Sequence, residues 1–168
     1  MCWFCVYTVK RKNNTNTKKY IITKMNKSLT YRGPNQCDYY IDENIALGHC
    51  RLSIIDLKTG NQPMKKIHNN KEYVIVYNGE LYNTEEIKED LISKGYTFNT
   101  TSDTEVVLTA FIEYSCTCLE YLNGIFAFVI YEKTSNMLFL ARDRLGIKPL
   151  FYTIYQNNII FASEIKAI

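Results

Sequence analysis

Cys2 is the first residue of the chain that is able to do chemistry. Removal of Met1 would leave Cys2 with both a thiol and a free α-amino group. An α-amino group has a reference pKa of about 7.7 to 8.0, which suits a general base at neutral pH, so it would activate the thiol without a separate histidine. Many proteins also carry a small residue after the initiator methionine for no catalytic reason. The position of Cys2 after Met1 is therefore enough to raise the hypothesis of an N-terminal nucleophile, but not to establish it.

Asn78 and Gly79 follow the apolar run 73–77, which predicts a strand buried on both faces. An Asn-Gly pair is also typical of a two-residue hairpin turn. Residues 80–82 are too few for a paired return strand before a helix begins, so the pair is expected at the exit of the buried strand. There the Asn side-chain amide and the Gly backbone N–H would both be able to stabilise a developing oxyanion.

Arg51 and Asp103 each have a structural and a functional interpretation. Arg51 is either a solvated residue on a strand or a bidentate partner for a substrate carboxylate. Asp103 either interacts with the dipole of a helix N-terminus or holds a substrate ammonium group. Local sequence does not choose between these alternatives. The Arg142-Asp143-Arg144 sequence is expected to form salt bridges within a turn.

The two histidines and the paired cysteines offer further alternatives. His49 or His68 could form a Cys–His nucleophilic site, although neither lies in a segment with an obvious third, orienting group. Cys116 and Cys118 are separated by one residue, with no second pair and no His at ligand spacing, so no metal site is predicted.

Composition restricts the class of protein. Hydrophobic residues make up 46% of the 168 residues and charged residues 22%, which is typical of a globular domain. The net charge of +3 and a weak basic cluster predict no binding to nucleic acid. No apolar stretch approaches the roughly 20 residues that span a bilayer, and no secretion signal is recognisable, so no membrane contact is expected. We expect a cytoplasmic protein whose six cysteines are reduced thiols.

Apolar periodicity predicts the elements that would position these residues. Strands are predicted at 2–9, 39–41, 45–55 and 73–77, and four short strands forming two hairpins at 125–131, 137–141, 150–155 and 159–162. Helices are predicted at 20–29, after an exposed polar loop 10–19, and behind the capping pairs Asn83/Glu86 and Ser102/Glu105, with Gly95 ending the second helix. Strands, then two adjacent helices, then strands again predict one α+β domain in which helices cover sheet faces.

A series of motifs occurs in one order along the chain and covers almost all of it. It resembles the glutaminase domain of glutamine-hydrolysing asparagine synthetases, a class II glutamine amidotransferase domain. One such motif would be weak, but this many in order with compatible spacing is highly specific. The motifs are Met1-Cys2, YRGPN (31–35), ALGHCRLSIID (46–56), QPM (62–64), YNGELYN (77–83), SDTE (102–105), ARDRLGIKPL (141–150) and ASEIKA (162–167).

The resemblance implies a fold and a reaction. The expected fold is the N-terminal nucleophile fold, a four-layer αββα sandwich of two antiparallel sheets with helices outside. Mature Cys2 would attack the carboxamide carbon of glutamine, release ammonia and leave a thioester that water hydrolyses to glutamate. The implied site residues are Asn78 and Gly79 for the oxyanion hole, Arg51 for the substrate α-carboxylate, Glu80 and Asp103 for its α-amino group, and backbone groups of Leu52, Ser53, Ile54 and Ile55 along the pocket.

Three departures from the family pattern qualify this expectation. Trp3 replaces the small residue that usually follows the nucleophile, and the first loop carries Tyr31 and Asn35 where the family has His and Asp. A bulky Trp3 would crowd the pocket, which leaves a catalytically inactive glutamine-binding or interaction module of the same fold as the alternative. The chain also stops near the point where the family's synthetase domain would begin.

The expected organisation is therefore one glutaminase domain over residues 1–168, with the synthetase domain absent from this chain. No cofactor is expected in this domain, since ATP and magnesium would belong to the synthetase domain. The expected partners are glutamine and a synthetase domain or subunit, which would use the ammonia to amidate aspartate.

Overall fold

Two antiparallel sheets lie face to face in the computed structural model, which describes residues 2–9, 14–52 and 60–168. The strands are β1 (Trp3–Thr8), β2 (Gln36–Ile41), β3 (Ile45–Arg51), β4 (Met64–His68), β5 (Lys71–Leu81), β6 (Gly124–Glu132), β7 (Met137–Arg142), β8 (Phe151–Tyr155) and β9 (Asn158–Ala162). The first sheet has the order β2-β3-β1-β9-β8, and the second has the order β4-β5-β6-β7.

Helices cover the outer face of each sheet. They are α1 (Thr15–Leu29), α2 (Thr84–Ser93) and α3 (Asp103–Tyr114), with short 3-10 helices at Ser115–Glu120 and Ile165–Ala167. Helix α1 packs on β1 and β3, whereas α2 and α3 pack over the second sheet. The result is the αββα sandwich that the sequence resemblance predicted. None of the described helices is long and apolar enough to cross a membrane.

Alternation of side chains along the central strands builds the apolar layers. In β1, Phe4 and Val6 point into the core between the sheets, whereas Trp3, Cys5 and Tyr7 point toward α1. Strand β5 alternates in the same way, because successive side chains of a strand point to opposite faces. The inner and outer faces of these two strands are therefore distinct environments.

Several local predictions are confirmed. The β6–β7 and β8–β9 hairpins form as expected. Ser102 caps α3 by accepting a hydrogen bond from the Thr104 N–H. Gly95, with φ of 93°, follows the end of α2 in the left-handed region that glycine adopts readily.

Other local predictions are wrong. Helix α1 begins at Thr15, inside the stretch predicted as an exposed loop, because Asn14 caps it and the Lys18 ammonium is drawn inward to the carbonyls of Asp42 and Glu43. Strand β4 was not predicted, since its MKKIH sequence is short and mostly polar.

Asn83 does not cap α2 with its side chain. Its amide instead donates to the Tyr121 carbonyl and accepts from the Asn123 N–H. The predicted capping box is therefore replaced by a tie to the turn that precedes β6. The sequence shows the Asn83/Glu86 spacing, but it does not show that a distant loop competes for the same amide.

Cys37 and Cys50 lie directly opposite each other on β2 and β3 and are joined by a disulfide, with their Cα atoms 4.2 Å apart. The expectation that all six cysteines are reduced is wrong for this pair. The register of two strands brings these residues together, and the sequence does not state that register. Cys2, Cys5, Cys116 and Cys118 are free thiols.

Candidate active site

A cavity of about 340 Å³ opens at one end of the sandwich. The side chains that line it include one thiol, two cations and two carboxylates. The lining residues are Cys2, Arg51, Leu52, Gly79, Glu80, Leu81, Thr84, Thr101, Ser102, Asp103 and Lys148. Six of the predicted site residues, which lie in or directly next to β1, β3, β5 and α3, are therefore brought to one place.

Cys2 and Trp3 point to opposite faces of the first sheet. Cys2 lies two positions before Phe4, on the inner side, and lines the cavity. Trp3 packs on the outer side, with the Arg32 guanidinium 5.0 Å from its ring centroid. The bulky residue that follows the thiol therefore lies outside the cavity. Burial raises the pKa of the Cys2 thiol, so the thiol is protonated at neutral pH and needs a base to react.

Gly79 lies within β5, and the prediction that it sits at the strand exit is wrong. Glu80 and Leu81 continue the pairing with β6, opposite Ile125 and Gly124. The sequence suggested an exit because residues 80–82 looked too short to pair, but they extend an existing ladder rather than begin a hairpin. A Cβ at Gly79 would lie 2.6 Å from the Ile125 carbonyl oxygen, so the strand fits only glycine without rearrangement.

The Gly79 N–H points away from β6. Its partner in the register, Phe126, directs both main-chain groups to Asp143: the carbonyl accepts from the Asp143 N–H at 2.7 Å, and the N–H donates to Oδ2 at 3.3 Å. Facing residues of an antiparallel pair either exchange both hydrogen bonds or exchange none. The Gly79 N–H therefore lies on the β4 side of the strand. The pairing with β4 stops at Ile75, and none of the described residues accepts a hydrogen bond from the Gly79 N–H.

The residues on either side of Gly79 at this edge are held. Tyr77 donates its N–H to Gln62 Oε1 at 2.6 Å, and Leu81 donates its N–H to Asp103 Oδ2 at 3.2 Å. The free N–H of Gly79 lies between these two fixed points and at the cavity wall. A preorganised backbone donor of this kind can stabilise an oxyanion.

Asn78 is only 1% exposed, and it is not on the cavity wall. Its side chain points to the inner face of β5, the same face as Glu80. The Asn78 Oδ1 atom is buried without a hydrogen-bond partner among the described residues. An unpaired buried acceptor costs roughly 1–3 kcal/mol, so its presence suggests a role other than stability.

The charged groups of the cavity are Arg51, Glu80, Asp103 and Lys148. Arg51 is 5% exposed and donates to Asn61 Oδ1 at 3.2 Å. Asp103 accepts from the Tyr77 hydroxyl at 3.0 Å in addition to the Leu81 N–H. Burial raises the pKa of Asp103, although these two hydrogen bonds act in the opposite direction. Cations and carboxylates in one cavity suit a ligand that carries both charges.

His49 is buried on the inner face, and its Nε2 lies 3.3 Å from the Tyr77 carbonyl oxygen. Burial lowers the pKa of His49 to about 3, so the ring is neutral and Nε2–H is the donor in this contact. His49 thus supports β5. Neither His49 nor His68 lines the cavity.

Lys148 is a cavity residue that the sequence reasoning missed. Its backbone is fixed on both sides, since Arg142 Nε donates to the Lys148 carbonyl at 2.8 Å and Asp143 Oδ2 accepts the Lys148 N–H at 2.9 Å. Arg142, Asp143 and Arg144 form no salt bridge among the described residues, so that prediction is wrong. A lysine beyond a charged cluster gives no local signal of its own.

The remaining predicted site residues, Ser53, Ile54 and Ile55, lie outside the described residues, as does Met1. Within the described ranges, no group of three or more His, Cys, Asp or Glu side chains is placed to hold a metal ion.

Comparison with known proteins places the chain in a family. A sequence model of the family described as "Glutamine amidotransferase domain" matches residues 1–168. Asparagine synthetase (glutamine-hydrolyzing) 3 of Bacillus subtilis is 44% identical over 151 residues, which cover 90% of this chain and 25% of that protein. Asparagine synthetase (glutamine-hydrolyzing) 1 of the same organism is 42% identical over 169 residues, covering 100% of this chain and 26% of that protein. The chain spans about a quarter of the length of these two relatives.

The solved structure of glutamine phosphoribosylpyrophosphate amidotransferase from B. subtilis, complexed with ADP and GMP, is similar in fold, with a TM-score of 0.77. The match covers 99% of this chain and 42% of that one at 24% sequence identity. Because the family match extends over every residue from 1 to 168, the chain belongs to the glutamine amidotransferase domain family.

Proposed function

We propose that this chain hydrolyses glutamine to glutamate and ammonia, with Cys2 as the nucleophile. One observation carries the proposal: Cys2 and Gly79 line the same cavity, and the Gly79 N–H has no acceptor among the described residues. A nucleophile and an oxyanion donor that share one small space are the minimum that acyl transfer requires. The names of the two synthetase relatives state that those proteins hydrolyse glutamine, which supports the choice of substrate.

The charged walls would hold the amino-acid end of glutamine. Arg51 would bind the α-carboxylate, because a planar guanidinium pairs with a carboxylate through two hydrogen bonds. Glu80 and Asp103 would hold the α-ammonium group. The ammonium would also favour the ionised form of Asp103 and so oppose the effect of burial, which raises the pKa of this carboxyl. Glutamine would then extend its carboxamide toward Cys2.

The chemistry would begin once Met1 is removed and the α-amine of Cys2 is free. The amine accepts the thiol proton as sulfur bonds to the carboxamide carbon, and the carbonyl oxygen becomes an oxyanion facing the Gly79 N–H and the Asn78 amide. The same proton passes to the leaving nitrogen as the C–N bond breaks, which yields ammonia and a thioester. Water then adds to the thioester while the amine takes its proton, and glutamate leaves with the thiol restored.

The inactive glutamine-binding module is not favoured, because it depends on Trp3 crowding the pocket and the Trp3 ring packs on the opposite face of β1. In the proposed mechanism this set of residues would carry out the hydrolysis without a cofactor. The ammonia would pass to a synthetase domain or subunit that uses ATP and magnesium to amidate aspartate. Support for that partner comes from the synthetase relatives, which are about four times as long as this chain.

Glutamate release from glutamine tests the proposal when wild-type chain, Cys2→Ala and Cys116→Ala are compared, each with Met1 removed. Cys116 is an exposed free thiol outside the cavity, so it controls for the loss of a cysteine as such. We expect wild type and Cys116→Ala to release glutamate and Cys2→Ala to release none. Retained hydrolysis in Cys2→Ala would contradict the proposed nucleophile.

A further inference from the structure

Gln62 bonds to the main chain of Tyr77 through both ends of its side-chain amide. Oε1 accepts the Tyr77 N–H at 2.6 Å, and Nε2 lies 3.2 Å from the Tyr77 carbonyl oxygen. Nε2 also donates to Thr104 Oγ1 at 3.2 Å. Gln62 is 5% exposed, so these bonds are made away from solvent.

The register of β4 and β5 explains why this contact matters. Met64 pairs with Ile75, so the same antiparallel register extended by two residues would place Gln62 opposite Tyr77, and extended by four would place Gly60 opposite Gly79. Strand β4 instead begins at Met64, so it reaches neither of these positions. The Gln62 side chain makes the two main-chain hydrogen bonds that a strand partner would have made to Tyr77. The next position along the edge, at Gly79, has no strand partner on this side within the described ranges.

Two side chains therefore hold the edge of β5 on either side of the free N–H. The Gln62 amide fixes Tyr77, and the Asp103 carboxylate fixes both the Leu81 N–H and the Tyr77 hydroxyl. If a strand replaced Gln62 beside Tyr77, that strand would continue along the edge and accept a hydrogen bond from the Gly79 N–H. Without a strand partner or the Gln62 side chain at Tyr77, the edge of β5 would be less rigid, and the Gly79 N–H would be free to change direction.

We propose that Gln62 is a positioning residue for the reaction, which aims the Gly79 N–H at the developing oxyanion by taking the place of a strand partner at Tyr77. This inference rests on the proposed glutaminase function. Gln62 does not line the cavity, so it acts through β5 rather than on glutamine. Its loss is expected to alter stabilisation of the transition state more than binding of the ground state.

The test compares Gln62→Met, which keeps the length of the side chain and removes both polar groups, with Gln62→Glu, which keeps an acceptor for the Tyr77 N–H. Thr104→Val removes only the third partner of Gln62. Leu91→Ala is the control for lost stability, because Leu91 is a fully buried core residue of α2 and lies outside the cavity. The measurements are kcat, KM and inhibition by glutamate γ-semialdehyde, whose thiol adduct carries an oxygen in place of the oxyanion.

We expect Gln62→Met to lower kcat by about 10- to 100-fold, the scale of a misplaced catalytic group, with little change in KM. The γ-semialdehyde should bind more weakly by a similar factor. Gln62→Glu should recover part of the lost kcat. Thr104→Val should lower kcat less than Gln62→Met does, because it leaves both bonds between Gln62 and the Tyr77 main chain in place. Leu91→Ala should lower the melting temperature and leave kcat unchanged at temperatures where it is folded.

Hydrogen exchange provides a readout that does not depend on activity. The Tyr77 amide should exchange faster in Gln62→Met than in wild type, because its acceptor is gone. An active wild type with unchanged kcat and unchanged semialdehyde inhibition in Gln62→Met would overturn the positioning role alone. A wild type that releases no glutamate, despite normal protection of the Tyr77 amide, would instead overturn the proposed function.

Discussion

The two halves of β5 are built on the same pattern and serve different ends. From Tyr73 to Ile75 the strand is paired on both sides, with β4 at one edge and β6 at the other. From Tyr77 to Leu81 the pairing with β6 continues, but side chains of Gln62 and Asp103 replace β4 at the outer edge. The first half satisfies its backbone with sheet hydrogen bonds, and the second half keeps one N–H open to a cavity.

The side chains of the two halves also differ, from apolar and tightly packed in the first half to polar or absent at Asn78 and Gly79 in the second. Val74, Ile75 and Val76 are fully buried in apolar clusters. In the second half, Asn78 is buried with an unpaired oxygen and Gly79 has no side chain. One continuous strand thus gives stability at one end and an exposed backbone donor, rigidly held, at the other. The reaction site gains its rigidity from the half that does no chemistry.

The largest expected effect on turnover comes from a substitution that displaces the open N–H in the second half of β5. Gly79→Ala adds a Cβ 2.6 Å from the Ile125 carbonyl oxygen and 2.7 Å from the Tyr77 ring, so the strand edge must shift. We expect kcat for glutamine to fall by about a thousandfold, the upper range for loss of one oxyanion donor. The circular dichroism spectrum should stay native. Undiminished turnover in a folded Gly79→Ala would show that the open N–H is not used.

Asn78→Ala tests the orphaned amide of the same half. We expect turnover to fall by about a hundredfold, with a smaller change in KM, because the amide would act on the oxyanion. The free energy of unfolding should change little, since the variant also removes a buried oxygen that has no hydrogen-bond partner. Urea unfolding and steady-state kinetics on one preparation check both outcomes. A large loss of stability with normal turnover would assign Asn78 to the fold.

Acid should weaken the second half through His49, which supports the Tyr77 carbonyl as a neutral ring. Its pKa is lowered by burial to about 3 from an ordinary value of 6.5, so between these values the unfolded chain binds a proton that the native chain does not. The free energy of unfolding that the neutral His49 ring contributes at neutral pH is therefore lost as the pH falls below 6.5.

The expected slope from this residue is up to about 1.4 kcal/mol per pH unit. Urea unfolding at several pH values from 6.5 to 4.5, on wild type and His49→Gln, isolates it, because other titrating groups are common to both. Parallel stability curves for the two proteins would exclude His49 as the source.

The smallest effect is expected from the first half. Ile75→Val removes one buried methylene group from a residue paired with β4. It should cost about 0.5–1.5 kcal/mol of unfolding free energy and leave kcat and KM at wild-type values. A substantial fall in kcat would mean that the two halves are not separable in function.

Much of the fold follows from local patterns in the sequence. Apolar runs predicted most of the strands, and Ser102 and Gly95 marked helix ends, because these signals depend on near neighbours. The position of Asn78 and Gly79 inside β5 depends on pairing with Ala127 and Phe126, more than 40 residues away. Strand β4 was missed for the same reason: its polar sequence is a strand because β5 is beside it.

The candidate site was predicted mainly through resemblance to a family. Local reasoning left Arg51 and Asp103 with two interpretations each, and only the fold brings them to one cavity with Cys2. Lys148 and Gln62 carried no local signal of a role. The contacts of Gln62 are made to main-chain atoms of Tyr77, and a sequence does not show which backbone groups a strand leaves unpaired.

Covalent labelling tests most directly whether the open edge and the Cys2 thiol form one glutamine site. Chain with Met1 removed is incubated with an electrophilic glutamine analogue, and the modified cysteine is identified by peptide mass, with and without competing glutamine. The account predicts one adduct, on Cys2, which glutamine suppresses and which Gly79→Ala forms more slowly. Labelling spread over Cys2, Cys5, Cys116 and Cys118 alike, or unaffected by glutamine, would contradict it.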